Sequence, residues 1–408
     1  MTRRRWSRNL VAAACAGAAA LPLLAGAAQA AQPATRADAP IMAPTVFAEP
    51  PTMPGGTTAT NPDDLTQLGD LIYVSFQNNA GKDGTPAGSF STIAAYHADT
   101  GALATTYQLP GRCDGLTADP THHRLLASVN EDNNSSLFVI HPGQSAPQHY
   151  TYSPNPAETG SDGTNGGTDA ISVAPGGTVY VAHSNPDVNL PAPNNTAAVY
   201  TLTLAGDTAT LTPLFGVNDT AKVIDPAPGA STSAPLALTD PDSNRFLSRN
   251  GGTLVQDAQA DSKLVLATHL HAAKPTLRQL LLSNAAPTSS GQAATPQLDD
   301  LTRVAGPGRL LVVDQKGDAI YSLHTTTARP GTVFVSQPAP GAGDLPNDPA
   351  LGVVDLRTGV VTHLNTHFAS PKGLLFIPDD QDLSDGLLNA QDAVDTTSHL
   401  GLPPGFGF

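Results

Sequence analysis

Asp299-Asp300-Leu301-Thr302, then Gly308-Arg309-Leu310-Leu311-Val312-Val313-Asp314, then Asp318-Ala319-Ile320-Tyr321 is the stretch that decides the fold. A charged residue opens a short apolar segment, and a second apolar run follows. The same phrase recurs as Asp63-Asp64-Leu65-Thr66 before LIYVSF, Asp114-Gly115-Leu116-Thr117 before RLLASV, and Asp169-Ala170-Ile171-Ser172 before TVYVAH. Lys372-Gly373-Leu374-Leu375 repeats the register near the C-terminal end. Self-similarity at a spacing of tens of residues marks a repeat architecture. Here the unit is a small antiparallel sheet, so the expected fold is an all-β propeller of four-stranded blades. Six blades are expected. The irregular stretches 217–250 and 324–350 leave room for a seventh.

Working outward, unit one takes strands near 64–68, 71–76, 91–97 and 103–109. Unit two takes 114–119, 124–129, 136–140 and 148–152, and unit three 169–174, 178–183, 197–204 and 208–215. Unit four resumes at 253–257, 263–268 and 277–282 after the long irregular stretch. Unit five uses 299–304, 309–314 and 318–323. Strands near 332–336, 351–356 and 360–365 follow, and Lys372–Ile377 returns as an inner strand. A late inner strand implies ring closure, which removes exposed sheet edges. Asp-Thr-Gly and Arg-Thr-Gly at 99–101 and 357–359 suit the outer hairpins.

Both ends read differently from the body. Arg3, Arg4, Arg5 and Arg8 precede an Ala/Leu/Gly run, and Ala28-Gln29-Ala30 fits a small-x-small cleavage site. Residues 1–30 are thus expected to be an export signal, by the general or the twin-arginine route, and the mature protein to be secreted. Residues 31–60 are rich in Pro, Ala and Thr and read as a linker with one strand at Thr45–Ala48. The propeller is expected over 61–380, and residues 381–408 as an acidic tail.

The formal net charge is −15, and −19 without the four leader arginines. That balance argues against nucleic acid and anionic membranes as partners. Almost all the acid is Asp, and with 37 Gly and 37 Pro the chain favours turns over helices. After the leader only Cys113 remains, expected as a small buried residue, so no internal disulfide is available. The expected partners are a small molecule or an extracellular protein, with no membrane insertion and the chain a monomer.

The first strand of each propeller blade lines the central channel. Asp63, Asp114, Asp169, Asp299 and Lys372 should therefore stand around one mouth, with Gly252 as a weaker sixth position. Asp64 and Asp300, one residue on, should face the other way. Four carboxylates at close range raise one another's pKa or recruit a cation, and hard carboxylate oxygens suit Ca²⁺ or Mg²⁺. The alternative is that each Asp caps backbone N–H groups in its own turn. Lys372 either balances the acids or meets an anionic group. Glu131-Asp132-Asn133-Asn134 and Asp314-Gln315-Lys316-Gly317-Asp318 read as hairpin turns, and Asp240-Pro241-Asp242-Ser243-Asn244 as part of a long loop. His269 and His271 alternate on one strand face, without an evident third ligand. His122-His123 reads as a turn. No nucleophile elbow, phosphate loop or zinc helix motif is present.

The runs at 299–321 and the closing Ser370-Pro371-Lys372-Gly373-Leu374 resemble propellers of the NHL, YVTN and SMP-30/gluconolactonase type, including secreted actinobacterial ones. The resemblance covers about residues 60–380 and is one of fold. It implies a ligand-, cation- or protein-binding propeller without a recognisable catalytic set. The alternative it implies is a Ca²⁺-dependent hydrolase of the lactonase type. In that case Asp114, Asp169 and Asp299 hold the metal, although the Glu such lactonases use is missing from the start of every inner strand.

Overall fold

The repeat strands are apolar on both faces. In Leu71–Phe76, Ile72, Val74 and Phe76 turn to one neighbour, and Leu71 and Tyr73 to the other, as a period of two requires. A strand covered on both sides reads as a continuous apolar run. That is why LIYVSF and RLLVVD show so little polar alternation.

The computed structural model describes residues 43–379, apart from 54, 160–165, 190–195, 248–251, 287–294, 326–327, 341–347 and 365. The export signal and the acidic tail lie outside the described residues. Among those described, six four-stranded antiparallel units pair as follows, from the innermost strand outward. Blade 1 is Pro62–Leu68, Leu71–Phe76, Phe90–His97 and Leu103–Pro110. Blade 2 is Cys113–Asp119, Arg124–Val129, Ser136–Ile140 and Gln148–Ser153. Blade 3 is Gly167–Val173, Val179–Ser184, Ala197–Ala205 and Thr208–Gly216. Blade 4 is Pro241–Phe246, Thr253–Ala258, Lys263–Thr268 and Thr276–Leu281, with Thr220–Val223 and Ser233–Pro235 added outside. Blade 5 is Asp300–Arg303, Val333–Gln337, Ala350–Val354 and Val360–His363. Blade 6 is Pro371–Pro378, Gly308–Asp314, Ala319–Thr325 and Thr45–Ala48.

The innermost strands touch in the closed cycle of blades 1-2-3-4-5-6-1. Six apolar clusters fill the six seams between successive blades. At the last seam, Leu65 and Phe76 of blade 1 meet Leu311 and Leu375 of blade 6. Fully burying one such side chain contributes roughly 1.5–3 kcal/mol, so the seams hold the ring together. Cys113 is 0% exposed within the blade 1–2 seam.

Three expectations need correction. The segment Pro241–Phe246, read as loop, is the innermost strand of blade 4. Gly252 instead precedes the second strand, Thr253–Ala258, so it is not a sixth mouth position. Unit five was read as one blade but supplies two. Asp300–Arg303 pairs with Val333–Gln337, whereas Gly308–Asp314 pairs with Pro371–Pro378. The chain starts blade 5, builds the two middle strands of blade 6, returns to finish blade 5, and ends inside blade 6. Thr45–Ala48, within the segment read as a linker, closes blade 6 from outside. No helix among the described residues is long and apolar enough to cross a membrane.

Candidate functional site

Five of the six inner strands share one irregularity. Pairing with the second strand shifts between Pro62 and Leu65, Cys113 and Leu116, Thr168 and Ile171, Pro241 and Asn244, and Pro371 and Leu374. In each case the two residues skipped are the repeat's charged residue and its successor. A bulge of this kind breaks the in–out alternation and re-aims side chains. It explains why both Asp63 and Asp64 line the same cavity. Both Asp299 and Asp300 line it as well, from the start of the blade 5 inner strand. Asp64 and Asp300 were expected to face away, and they do not.

A serine on the second strand holds the start of the inner strand in three blades. Ser75 accepts from the Asp64 N–H at 3.0 Å, Ser128 from Gly115 at 3.1 Å, and Ser336 from Asp300 at 3.0 Å. The Ser75 and Ser336 hydroxyls also donate back to the carbonyl of the same residue, and that of Ser128 donates across the seam to the Asp169 carbonyl.

The cavity at the mouth holds about 90 Å³. Drug-sized ligand pockets begin near ~300 Å³, so this one suits an ion or a small polar head group. Asp63, Asp114, Asp169, Asp299 and Lys372 all line it, which brings the five sequence positions together. Five further acids join them: Asp64, Asp300, Glu131, Asp240 and Asp242. Asp242 takes the place in blade 4 that Gly252 was expected to hold. Glu131, read as turn chemistry, follows the second strand of blade 2 and reaches the cavity wall. No aromatic residue is among those lining the cavity.

The floor is built around Arg245. Its guanidinium donates to Asp300 at 3.0 and 2.8 Å and to Asp64 at 3.2 Å. Asp64 also accepts from the Leu65 N–H and, across the seam, from Leu116 at 2.8 Å. Asp300 repeats this with Leu301 and Leu374 at 2.7 Å each. The two carboxylates therefore cap backbone in the next blade while they clamp the same cation.

Half of the wall is balanced by the chain's own bases. Lys372 sits 3.0 Å from Asp63 and 2.7 Å from Asp299. Of its two readings, the geometry matches charge balance. Arg112 meets Asp114 at 3.1 Å and Glu131 at 3.8 Å, and Lys82 pairs with Glu131. Gln77 donates to Asp114 at 2.5 Å, and Gln315 to Asp63 at 3.0 Å. The other half lacks such partners. The carboxylates of Asp169 and Asp242 carry no hydrogen bond and no ion pair among the described residues, and the buried Oδ2 of Asp114 meets no donor.

Electrostatics follow this division. Burial pushes the Asp169 and Asp242 carboxyls well above the usual range, and neighbouring acids push them the same way. Burial also raises Asp114, against Arg112. It lifts Asp299 to about 6 against Lys372, Asp240 to about 6, and Asp64 to about 7 against Arg245. Glu131 goes the other way, to about 2, because Arg112 and Lys82 outweigh its burial.

The remaining sequence candidates are structural. Asp314 accepts from the Ala369 and Ser370 N–H groups at 2.9 and 2.7 Å, tying its turn to the inner strand of blade 6. His269 and His271 lie beyond the strand Lys263–Thr268, not on one of its faces. Asp119 caps the 3₁₀ turn Pro120–His122 by accepting the His122 N–H at 3.3 Å, and its other oxygen meets the His122 ring at 2.7 Å.

Calcium takes six to eight oxygen ligands, and Asp114, Asp169 and Asp299 do not fit that demand here. Asp114 is turned to Arg112 and Gln77, and Asp299 to Lys372. Among the described residues no three His, Cys, Asp or Glu side chains converge as metal ligands.

Fold and site together define a β-propeller with an acidic cup at its channel mouth. No family model matches the chain, and no curated protein matches it. Among solved structures it is similar to the periplasmic gluconolactonase of Pseudomonas aeruginosa, at 14% identity over 79% of this chain and 90% of that one, TM-score 0.45. It is also similar to the calcium-binding protein regucalcin of Agrobacterium tumefaciens, at 12% identity over 83% and 89%, TM-score 0.43. A third is a Lactobacillus plantarum protein, at 12% identity over 79% and 89%, TM-score 0.43. The propeller assignment for this chain stands on its own strand pairing.

Proposed function

We propose that this is an exported, monomeric β-propeller that binds a cation or a cationic group in the acidic cup. The observation that carries the reading is the unbalanced half of the wall, where Asp169 and Asp242 have no cation of their own. Partly buried carboxylates crowded together without partners are costly, and a bound cation relieves that cost. The hydrolase alternative loses its support because Asp114 and Asp299 are already held by Arg112 and Lys372.

A thermal-shift screen of simple cations near neutral pH tests the proposal, with calcium, magnesium, methylammonium and guanidinium at matched ionic strength. At about a hundredfold over Kd, a cation that binds only the folded state adds about 2.7 kcal/mol, a rise of several degrees. The rise should disappear in the Asp169→Asn/Asp242→Asn double variant. No cation-specific rise, or one of equal size in the double variant, sinks the reading.

A further inference from the structure

Blade 4 departs from its neighbours at one buried position. At the same place on the second strand, blades 1, 2 and 5 carry Ser75, Ser128 and Ser336. Blade 4 puts Asp257 there, opposite the bulge of its inner strand, between the pairs Pro241–Ala258 and Asn244–Gln256. Its partner on the third strand, Leu264, packs in the seam between blades 4 and 5. Partners across a sheet share a face, so Asp257 faces that seam as well. It is 0% exposed, and among the described residues neither of its oxygens meets a donor in hydrogen-bond geometry.

The surroundings do not support a charge. Burial pushes the Asp257 carboxyl well above its ordinary 3.8, and Asp240, Asp299 and Asp300 push it the same way; the Ala258 N–H opposes them in part. Asp242, on the bulge, faces the cup cavity. The bases on the neighbouring strands are committed: Arg245 to Asp300 and Asp64, Lys263 to the Leu236 carbonyl, Arg303 to the Leu247 carbonyl. An ionised carboxylate here bears the cost of an unpaired buried charge. A carboxylic acid does not, and it gains an O–H to donate. Ser128 shows what a donor at this register does: its hydroxyl reaches across the seam to the Asp169 carbonyl, at the repeat position of the next blade. Asp299, with Asp300 after it, holds the repeat position in the blade that follows Asp257.

We propose that Asp257 is a proton-held latch on the blade 4–5 seam: a carboxylic acid that donates across the seam in the closed ring, and an ionised group that parts the seam once its proton is lost. The latch is a pH-sensitive switch in the wall of the cup, because Asp240 and Asp242 stand on one side of that seam and Asp299 and Asp300 on the other. It does not depend on what the cup binds. Opening the seam exposes the carboxyl, which then sheds its proton at any pH above 3.8. Each pH unit therefore favours the open form by up to about tenfold, until the closed form ionises too. Rising pH loosens the seam and acid tightens it.

Hydrogen exchange on the full chain, corrected for the intrinsic pH dependence of exchange, tests this by following Thr253–Ala258 and Asp300–Arg303 between pH ~5 and ~9. The comparison is with Asp257→Asn, which keeps a donor and has no proton to lose. Per pH unit, the opening constant of the unmodified chain is expected to rise up to about tenfold more than that of the variant. Leu71–Phe76 in blade 1 should show no such difference. Should Asp257→Asn fail to fold, Asp257→Ser takes its place, since serine holds this register in blades 1, 2 and 5. Equal pH slopes in the unmodified chain and the variant mean that the carboxyl is already ionised in the closed ring, and overturn the latch. A slope difference as large at Leu71–Phe76 assigns the proton to unfolding of the whole ring, and overturns it too.

Discussion

Arg245, on the innermost strand of blade 4, reaches Asp64 of blade 1 at 3.2 Å. Those strands lie opposite each other in the six-membered cycle, so the guanidinium crosses the middle of the ring. With Asp300 at 2.8 Å it closes the channel beneath the cup.

Removing that cation should be costly. Arg245→Met leaves Asp64 and Asp300 facing each other in the floor, and breaking a buried pair from one side costs about 3–5 kcal/mol. Chemical denaturation should show a loss of that order. Adding Asp64→Asn and Asp300→Asn to Arg245→Met should recover part of it, because the repulsion goes with the charges. A loss below about 1 kcal/mol for Arg245→Met, as for a surface pair, would mean that the plug is not structural.

Stability should fall as pH rises toward neutrality. Asp240 and Asp299 titrate at about 6 and Asp64 at about 7 in the folded chain, against 3.8 ordinarily. Between those values the folded state holds protons that the unfolded chain has lost, so the slope of stability against pH is negative there. Glu131, at about 2 against 4.5, has the opposite sign. Its contribution is present above 4.5 and is lost as pH falls toward 2. Melting temperature, measured without added cation, should drop steadily from pH ~4.5 toward pH ~8. A steady rise over that interval would contradict the assignment.

The bulge serines predict a local effect. Ser75→Ala strands the Asp64 N–H, and Ser128→Ala the Gly115 N–H. Each should cost about 1–3 kcal/mol. Blade 4 has Asp257 at this register position, 0% exposed and with no donor in hydrogen-bond geometry at either oxygen. Asp257→Ser should therefore stabilise the protein by a similar amount, read as a higher denaturation midpoint. A lower midpoint would show that this carboxyl has a role the serine cannot fill.

Close approach of inner strands explains the glycines that follow Asp114 and Lys372. A Cβ at Gly373 would stand 2.7 Å from the Asp63 carbonyl oxygen and 2.9 Å from the Asp64 Cα, both backbone atoms of the next blade. Gly373→Ala should cost about 1–3 kcal/mol through overpacking, visible as a lower melting temperature. A neutral outcome would mean that the blade 6–1 seam is looser than its geometry.

The repeat made blades 1 to 3 legible because a charged residue, Leu or Ile at the third place, and a following apolar run coincide there. Blade 4 escaped because Asn244 stands where Leu65, Leu116 and Ile171 stand elsewhere. Asn244 pairs with Gln256 at 3.3 Å instead of entering a seam. The exchange of strands between blades 5 and 6 was hidden for a different reason: consecutive apolar runs do not say which inner strand they join. In the site, Asp63, Asp114, Asp169, Asp299 and Lys372 could be placed from register alone. Asp64 could not, because alternation puts it outside and only the bulge brings it in; Asp300, one place on from Asp299, was hidden by the same alternation. Glu131 left no periodic signal, since it enters from the exit of a second strand.

The most direct test couples the cup's cation to its protons. The Asp169 and Asp242 carboxyls, raised well above the usual range by burial and neighbouring acids, must release protons when a cation settles beside them. Calorimetric titration with methylammonium at pH ~6.5, repeated in buffers of different ionisation enthalpy, measures that release. The expected result is saturable binding with proton release, lost in Asp169→Asn/Asp242→Asn. Saturable binding without any proton release, or binding that survives the double substitution, would contradict the placement of the cation in the acidic cup.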